Sequence, residues 1–221
     1  SICGGLNINI GTLNKNTIPS MFLAGKKANA LGHIVLLDPV GAGASRLRTD
    51  TANRLMQEVR FDAVRGNISE IKTLCTGSGS TKGVDADAVD AVTEANLDNG
   101  VQLVKTFAAQ TGCIIAVTGA IDLVSDGERC WCIRNGRAEM SRITGTGCQL
   151  SALMTAFLVA NPDRKLDAAA AAVCMMGLAG EIGWANMQPG DGNSTYRNRI
   201  IDAIFNMTGD ALEEGAKYEL R

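Results

Sequence analysis

Residues 142–153, with the sequence RITGTGCQLSAL, join a glycine-rich turn to a run of small and apolar residues. Gly145 and Gly147 form a Gly-x-Gly pair, and Cys148 follows as a group able to act as a base or nucleophile. Glycine lets the backbone turn tightly and approach a ligand, and a helix start offers unpaired N–H groups and a positive dipole end to an anion. The segment predicts a phosphate-binding helix start with a reactive thiol on the same turn. A structural turn with a capping threonine and a buried cysteine is the alternative that this stretch leaves open.

Four further polar motifs stand where strands are predicted to end. They are Gly11-Thr12, Asp38-Pro39-Val40-Gly41, Arg65-Gly66-Asn67 and Thr118-Gly119. In open α/β sheets, ligands bind at the carboxyl ends of the strands. The convergence of these motifs with the Gly145–Cys148 turn predicts one active site.

The residue types in these motifs suit a magnesium polyphosphate. Asn67 and Glu70 are three apart at a helix start and share a face. With Asp38 they could hold the water shell of Mg²⁺, an ion that uses few protein carboxylates when phosphates supply the rest. Arg65 could bind a polyphosphate through two guanidinium N–H groups, and Thr118 could donate a hydrogen bond to one. The structural alternatives are a helix-start acid favoured by the dipole, a surface arginine and a strand-end cap.

The elements that position these motifs alternate between short apolar runs and amphipathic stretches. Strands are predicted at 6–10, 34–37, 62–64 and 113–117, and helices at 18–31, 49–59, 67–74, 87–111, 150–160 and 166–187. A hairpin is predicted from 121–125 and 129–133, joined by Asp126-Gly127, and a last helix is predicted to run to the C-terminus. This order predicts an α/β layered domain with a mostly parallel central sheet and a small β-hairpin.

Composition narrows the function classes. The 221 residues carry a formal net charge of −2 without a Lys/Arg block, which argues against a nucleic-acid partner. Seven cysteines without C-x-x-C spacing indicate reduced thiols, and a single histidine argues against zinc. There is no run of about 18 or more uncharged apolar residues and no signal peptide, so we expect a cytoplasmic protein without a membrane span.

The sequence does not match two known nucleotide-binding motifs. The stretch 77–83, GSGSTKG, fails the spacing of a phosphate loop and is predicted to be a surface loop. No G-x-G-x-x-G opens the first strand–helix unit, which disfavours a dinucleotide oxidoreductase.

Five motifs come in the order and rough spacing of one known family. NIGTL at 9–13, LDPVGAGA at 37–44, RGNISEI at 65–71, VTG at 117–119 and GTGC at 145–148 resemble hydroxyethylthiazole kinase, the thiamin-salvage member of the ribokinase-like superfamily. The resemblance runs over essentially the whole chain. The related hydroxymethylpyrimidine kinases generally have Pro-Asn before their glutamate, so Arg65-Gly66 favours the thiazole enzyme.

The resemblance implies a fold, an activity and an assembly. The fold is a ribokinase-like three-layer α/β/α domain spanning residues 1–221. The activity is ATP-dependent phosphorylation of the primary alcohol of 4-methyl-5-(2-hydroxyethyl)thiazole, and the assembly is a homotrimer with the thiazole pocket at a subunit interface. The family has a longer, methionine-bearing segment before Asn9, so we expect an N-terminal segment to be missing here. Extra sequence lies around Gly77 to Asn99.

The resemblance also assigns the residues that bind the nucleotide and its metal. It implies contacts with the ATP phosphates for Arg65 and Thr118, and we place Asn67 on the same ATP side. It implies that Asp38 and Glu70 lie on the Mg²⁺ side.

The remaining assignments concern the alcohol and the transfer step. The resemblance implies substrate contacts at Gly11, Gly145 and Cys148, with Cys148 where sugar-kinase relatives have an aspartate base. We expect the amides from Gly145 through Gly147 to Cys148 to hold the transferring group, and Cys148 to gain thiolate character from the helix start. Two alternatives stay open: a hydroxymethylpyrimidine or pyridoxal-type kinase, and a non-catalytic nucleotide-binding domain that has lost its base.

Overall fold

The structure is a computed structural model that describes residues 2–77 and 91–221. Seven strands form one sheet in chain order: β1 (Gly5–Asn9), β2 (Ile34–Asp38), β3 (Ala63–Asn67), β4 (Ile114–Thr118), β5 (Asp122–Ser125), β6 (Cys130–Ile133) and β7 (Tyr218–Leu220). Strands β1 to β4 pair in parallel, and β4 to β7 pair antiparallel. The sheet is therefore mixed, and its parallel half carries the predicted strand-end motifs.

Helices cover both faces of this sheet. Four pack on one face: α1 (Thr17–Ala30), α2 (Arg46–Glu58), α3 (Ile68–Gly77) and α4 (Leu97–Thr111). On the other face lie α5 (Thr146–Ala160), α6 (Lys165–Ala185) and α7 (Asn193–Asn206), with α8 (Gly209–Gly215) against α6. All five residues of β2 are buried because it is covered on both sides. Val35 and Leu37 pack with α1–α4, whereas Ile34 and Leu36 pack with α5–α7.

Helix α6 is the core helix of the second face. By length and composition it alone, within residues 2–77 and 91–221, could cross a membrane, but 67% of its most apolar window is buried inside the protein. Its glycines permit close approach: a Cβ on Gly177 would lie 2.7 Å from the backbone of Asn135. The apolar character of α6 therefore matches its packing between the sheet and α7.

Most predicted elements are confirmed within a few residues. These are the strands at β1 to β4, the hairpin of β5 and β6, and helices α1, α2, α3, α5 and α6. The tight turn of the hairpin has Gly127 at a φ of +103°. Cys130 and Cys132 lie on one buried face of β6, as their spacing predicts.

Three predictions about elements were wrong. Strand β3 runs to Asn67 rather than ending at residue 64, because Asn67 still pairs with Thr118 of β4. The C-terminal region is not one helix: Thr208 caps α8 by accepting from the Ala211 amide, and the chain then returns as β7 beside β6. Helix α4 begins at Leu97, later than predicted; residues 87–90 of that prediction, and 78–83 of the predicted loop, lie outside the described residues.

Candidate active site

Four polar side chains stand at or near the carboxyl ends of the parallel strands and point to one face. They are Asn9 on β1, Asp38 on β2, Arg65 on β3 and Thr118 on β4. Each alternates along its strand with a residue that packs against α1–α4, so each points toward the face that α5 covers. The strand-end convergence predicted from the sequence is thus realised beneath α5.

Asp38 is the fully buried member of these four side chains. Its Oδ2 accepts hydrogen bonds from Asn9 Nδ2 at 2.8 Å and Ser151 Oγ at 2.9 Å. Its Oδ1 lies 3.8 Å from Arg65 Nη1 and has no hydrogen-bond partner among the described residues. Burial raises the pKa of Asp38; Arg65 and the bonds from Ser151 and Asn9 oppose this, and the nearby Glu70 adds to it. One buried carboxylate oxygen therefore remains available beside a guanidinium.

Arg65 is held directly under the start of α5. Its Nη2 donates to Thr118 Oγ1 at 2.8 Å, and its side chain is only 12% exposed. A Cβ added to Gly147 would lie 2.6 Å from Nη1 and 2.8 Å from Nη2. Gly147 therefore lacks a side chain because the guanidinium occupies that space, and an anion at this helix start would meet a positive charge.

The start of α5 presents free backbone donors. Gly145 precedes the helix with a φ of +96°, a left-handed conformation that favours glycine. The first helical bond runs from the Gln149 amide to the Gly145 carbonyl at 2.9 Å, so the amides of Thr146, Gly147 and Cys148 precede the first acceptor in the helix. Together with the helix dipole and Arg65, these amides are suited to binding a phosphate-sized anion.

Cys148 stands at the open side of this helix start and is exposed. Its Sγ accepts a hydrogen bond from Asn9 Nδ2 at 3.1 Å. The thiol is thus held on the β1 side of the anion site, where it can face a small molecule entering from solvent.

Gly11, predicted to contact the substrate, is hydrogen-bonded to Asn9, one of the four strand-end side chains. Its amide donates to Asn9 Oδ1 at 2.8 Å, and its carbonyl accepts from Arg48 Nη2 at 3.0 Å. The guanidinium of Arg48 lies where a side chain on Gly41 would sit. Arg48 therefore links the loop after β1 to the loop after β2.

Asn67 and Glu70 form an adjoining group at the start of α3. The Glu70 amide donates to Asn67 Oδ1 at 2.9 Å, and the Asn67 amide donates to Glu70 Oε2 at 2.8 Å. This reciprocal cap confirms that the two side chains share a face. Glu70 Oε1 also accepts from the Gly41 amide at 2.8 Å. Each oxygen of Glu70 thus already holds a backbone donor, and only its remaining lone pairs can serve a ligand.

The fit of these residues to magnesium is partial. Residues 2–77 and 91–221 contain no cluster of three or more His, Cys, Asp or Glu side chains that could hold a metal by themselves. The free Oδ1 of Asp38 and the spare lone pairs of Glu70 are oxygen donors, which Mg²⁺ prefers. The site therefore suits an ion held mainly by phosphates and waters.

Three side chains of the site were not identified from the sequence. Asn9 shares a strand face with Asn7, and Ser151 follows Cys148 by three helical positions, so periodicity carried a signal for both. Asp122 carried none, because it lies at the start of β5. Its Oδ1 accepts from the Gly119 amide at 2.8 Å. Burial raises the pKa of Asp122 to about 7, against the effects of the Gly119 amide and Arg65.

The predicted site residues thus fall into two adjoining groups. Asp38, Arg65, Thr118, Gly147 and Cys148 gather beneath and at the start of α5, where Gly145 begins the helix and Gly11 is joined through Asn9. Asn67 and Glu70 gather at the start of α3, connected to the loop after β2.

Comparisons with known proteins give a consistent result. The model of the hydroxyethylthiazole kinase family matches residues 1–210. A hydroxyethylthiazole kinase of Clostridium acetobutylicum is 55% identical over 219 residues, covering 99% of this chain and 80% of that protein. A solved hydroxyethylthiazole kinase protein from Pyrococcus horikoshii OT3 has a TM-score of 0.86 at 29% identity, covering 100% of this chain and 78% of that one. A pyridoxal kinase from Staphylococcus aureus in complex with AMP-PCP has a TM-score of 0.60 at 17% identity, covering 99% of this chain and 72% of that one, and shares the fold.

Proposed function

Because this chain belongs to the hydroxyethylthiazole kinase family, we propose that it transfers the γ-phosphoryl group of ATP to the hydroxyl of 4-methyl-5-(2-hydroxyethyl)thiazole, in thiamin salvage. The family resemblance and the ribokinase-like three-layer α/β/α fold expected from the motifs are both confirmed. The observation that carries the residue assignments is the position of the Arg65 guanidinium directly beneath Gly147. It places a fixed positive charge and three backbone donors around one point.

We assign that point to the transferring phosphoryl group. In-line transfer needs positioning and stabilisation of the charge on the phosphoryl oxygens, with little covalent chemistry by the protein. The amides of Thr146, Gly147 and Cys148 would donate to these oxygens, and Arg65 would neutralise part of their charge. Thr118 accepts a hydrogen bond from Arg65 Nη2 at 2.8 Å. It would therefore fix the guanidinium, and its hydroxyl would donate a hydrogen bond to a phosphate oxygen. Removal of one such donor from a preorganised site lowers turnover by about 10²- to 10³-fold.

We assign the alcohol to the side of the site where Cys148 and Gly11 stand. The exposed Cys148 Sγ, as a thiolate, can accept the proton of the attacking hydroxyl as the new O–P bond forms and the bond from the γ-phosphorus to the oxygen of ADP breaks. A thiolate is a poor base for an alcohol, so its contribution adds to positioning rather than replacing it. The Gly11 loop, held by Asn9 and Arg48, would limit the space available to the ring of the substrate.

Magnesium would be held between the phosphates and the carboxylates of Asp38 and Glu70. When bound, the ion neutralises phosphate charge and orients the phosphates. Asp38 Oδ1 is the free oxygen that faces this region, and Glu70 would act through water because backbone amides occupy both of its oxygens. Asn67, whose Oδ1 caps α3, would orient that water on the ATP side.

The proposal extends to the domain, the assembly and the compartment. Residues 1–221 would act as one kinase domain, because a single sheet joins both helical layers. A homotrimer follows from the family resemblance, and light scattering in solution tests it. Cys3, Cys113, Cys130, Cys132, Cys148 and Cys174 are free thiols, which supports a reducing compartment such as the cytoplasm.

Competition between alcohols tests the proposed reaction. Purified protein with Mg²⁺ and ATP is assayed for ADP release with the thiazole alcohol, hydroxymethylpyrimidine and pyridoxal as separate acceptors. We expect the thiazole alcohol to have the highest kcat/KM and to yield a phosphate monoester detected by mass spectrometry. A higher value for either other alcohol would assign the chain to that substrate. Tight ATP binding without ADP release with any acceptor would support a non-catalytic nucleotide-binding domain instead.

A further inference from the structure

We propose that Asn9 is a positioning residue that clamps the Cys148 sulfur between the Gly11 loop and the buried Asp38, and so holds it on the side of the site assigned to the alcohol. The inference rests on the proposed phosphoryl transfer at this site. Asn9 connects three groups through one side chain: the Gly11 amide, Asp38 Oδ2 and Cys148 Sγ.

The orientation of the Asn9 amide is fixed by its neighbours. Its Oδ1 accepts from the Gly11 N–H at 2.8 Å, and its Nδ2 donates to the Asp38 carboxylate at 2.8 Å. The flipped amide would direct an oxygen at the carboxylate and an NH₂ group at the N–H donor of Gly11, which are two repulsive contacts. Nδ2 therefore faces Cys148, and its second hydrogen is the one available to the sulfur at 3.1 Å.

This geometry makes the Cys148 sulfur a hydrogen-bond acceptor. A thiol proton must then point away from Asn9, toward the open side of the site. The charged groups around the clamp are Asp38 from β2, Arg65 from β3 and Arg48 from α2, with Glu70 from α3 behind Asp38.

The clamp also couples two proposed roles. Gly11 lies in the loop assigned to the substrate, and Cys148 is the group assigned to the alcohol proton. Because one amide holds both, a shift of the Gly11 loop moves the donor that faces the sulfur. A simpler alternative is that Asn9 only satisfies the buried Asp38, its register partner across β1 and β2. That role would not affect the chemistry of the thiol.

A double-mutant cycle on turnover separates the two roles. The kcat and the KM for ATP are measured for wild type, Asn9→Ala, Cys148→Ala and the double variant. We expect Asn9→Ala alone to lower kcat by about three- to tenfold, with an unchanged KM for ATP. In the Cys148→Ala background the same change should lower kcat by less than about twofold, because Asn9 acts through the sulfur.

Asn7→Ala is the matched control. Asn7 has the same residue type and lies two positions earlier on the same face of β1, and its Oδ1 has no hydrogen-bond partner within the part of the chain that the structure describes. We expect its kcat and its KM for ATP to match those of wild type. A loss of kcat from Asn9→Ala that is as large without the Cys148 sulfur as with it, in proteins with unchanged circular dichroism, would overturn the clamp.

A measurement that keeps Asn9 in place covers the case in which Asn9→Ala does not fold. The side-chain NH₂ signals of Asn9 in ¹⁵N-labelled protein should shift on Cys148→Ala, because the donor faces the sulfur. Signals that do not move would contradict the proposal. If the signals shift but no alcohol is phosphorylated, the proposed function fails while the contact between Asn9 and the sulfur stands.

Discussion

A methyl group added at Gly147 would collide with the Arg65 guanidinium rather than with the backbone. The new Cβ would lie 2.6 Å from Nη1, 2.8 Å from Nη2 and 3.0 Å from Cζ. Carbon atoms in contact prefer about 3.5–4.0 Å, so the guanidinium must move by roughly 1 Å. That movement lengthens the 2.8 Å bond to Thr118 beyond the range of about 2.7–3.2 Å that is typical of N–H···O bonds.

The magnitude follows from what Arg65 would do for the phosphates. A hydrogen bond to a charged group is worth about 1.5–3 kcal/mol, so we expect Gly147→Ala to lower kcat/KM by about 10- to 100-fold. Stability should change little, because the colliding atoms end a flexible side chain and alanine favours a helix over glycine by up to about 1 kcal/mol. The variant should therefore melt near the wild-type temperature while losing activity.

A double-mutant cycle with Arg65→Ala is the assay. With the guanidinium removed, adding Gly147→Ala should change kcat/KM by less than about twofold, since coupled contacts are not additive. Gly145→Ala is a contrasting variant: a Cβ there has no described atom within 4 Å, but the φ of +96° imposes strain. It should lower the melting temperature as well as activity. Equal losses from Gly147→Ala with and without Arg65 would refute the steric explanation.

Three further predictions concern the thiol, the partly buried carboxyl of Asp122 and the metal. Cys148→Ala should lower kcat by about tenfold or more if the thiol takes the alcohol proton, and unchanged turnover would assign catalysis to the helix amides alone. Burial raises the pKa of Asp122 from its ordinary value of 3.8 to about 7. The contribution of this carboxyl to folding stability is complete below pH 3.8 and is lost as the pH rises through 7, because ionisation is harder in the folded state than in the unfolded state. Asp122→Asn should therefore gain stability relative to wild type as the pH rises from about 4 to about 7, by at most about 4 kcal/mol in urea denaturation; a pH-independent difference would disprove this. Asp38→Asn with Glu70→Gln should raise the Mg²⁺ concentration for half-maximal turnover, whereas an unaltered magnesium titration would contradict their assignment.

The sequence was informative where burial on both sides dictated residue type. Strands β2 and β4 read as continuous apolar runs because helices cover both faces of the sheet. The strand-end motifs then placed the site by a general rule of parallel sheets. Strand β7 was missed because two of its three residues, Tyr218 and Leu220, are about half exposed and carry no such run.

The contacts inside the site were beyond sequence patterns. The Asn9–Cys148 bond joins residues 139 positions apart, and the Ser151–Asp38 bond joins residues 113 apart. No periodicity relates β1 or β2 to α5; only the packing of α5 across the sheet brings these groups together. The raised pKa of Asp122 likewise depends on the protein atoms that surround it, which no local signal records.

A crystal structure with Mg²⁺, a non-hydrolysable ATP analogue and the thiazole alcohol tests the central assignment most directly. We predict the terminal phosphate within about 3 Å of the amides of residues 146–148 and of Arg65, with the alcohol oxygen beside Cys148 Sγ. A cavity of about 640 Å³ lies at the amino ends of β3 and β4, lined in part by Asn53, Phe61 and Cys113. A nucleotide bound there, with the start of α5 free of phosphate, would contradict the assignment.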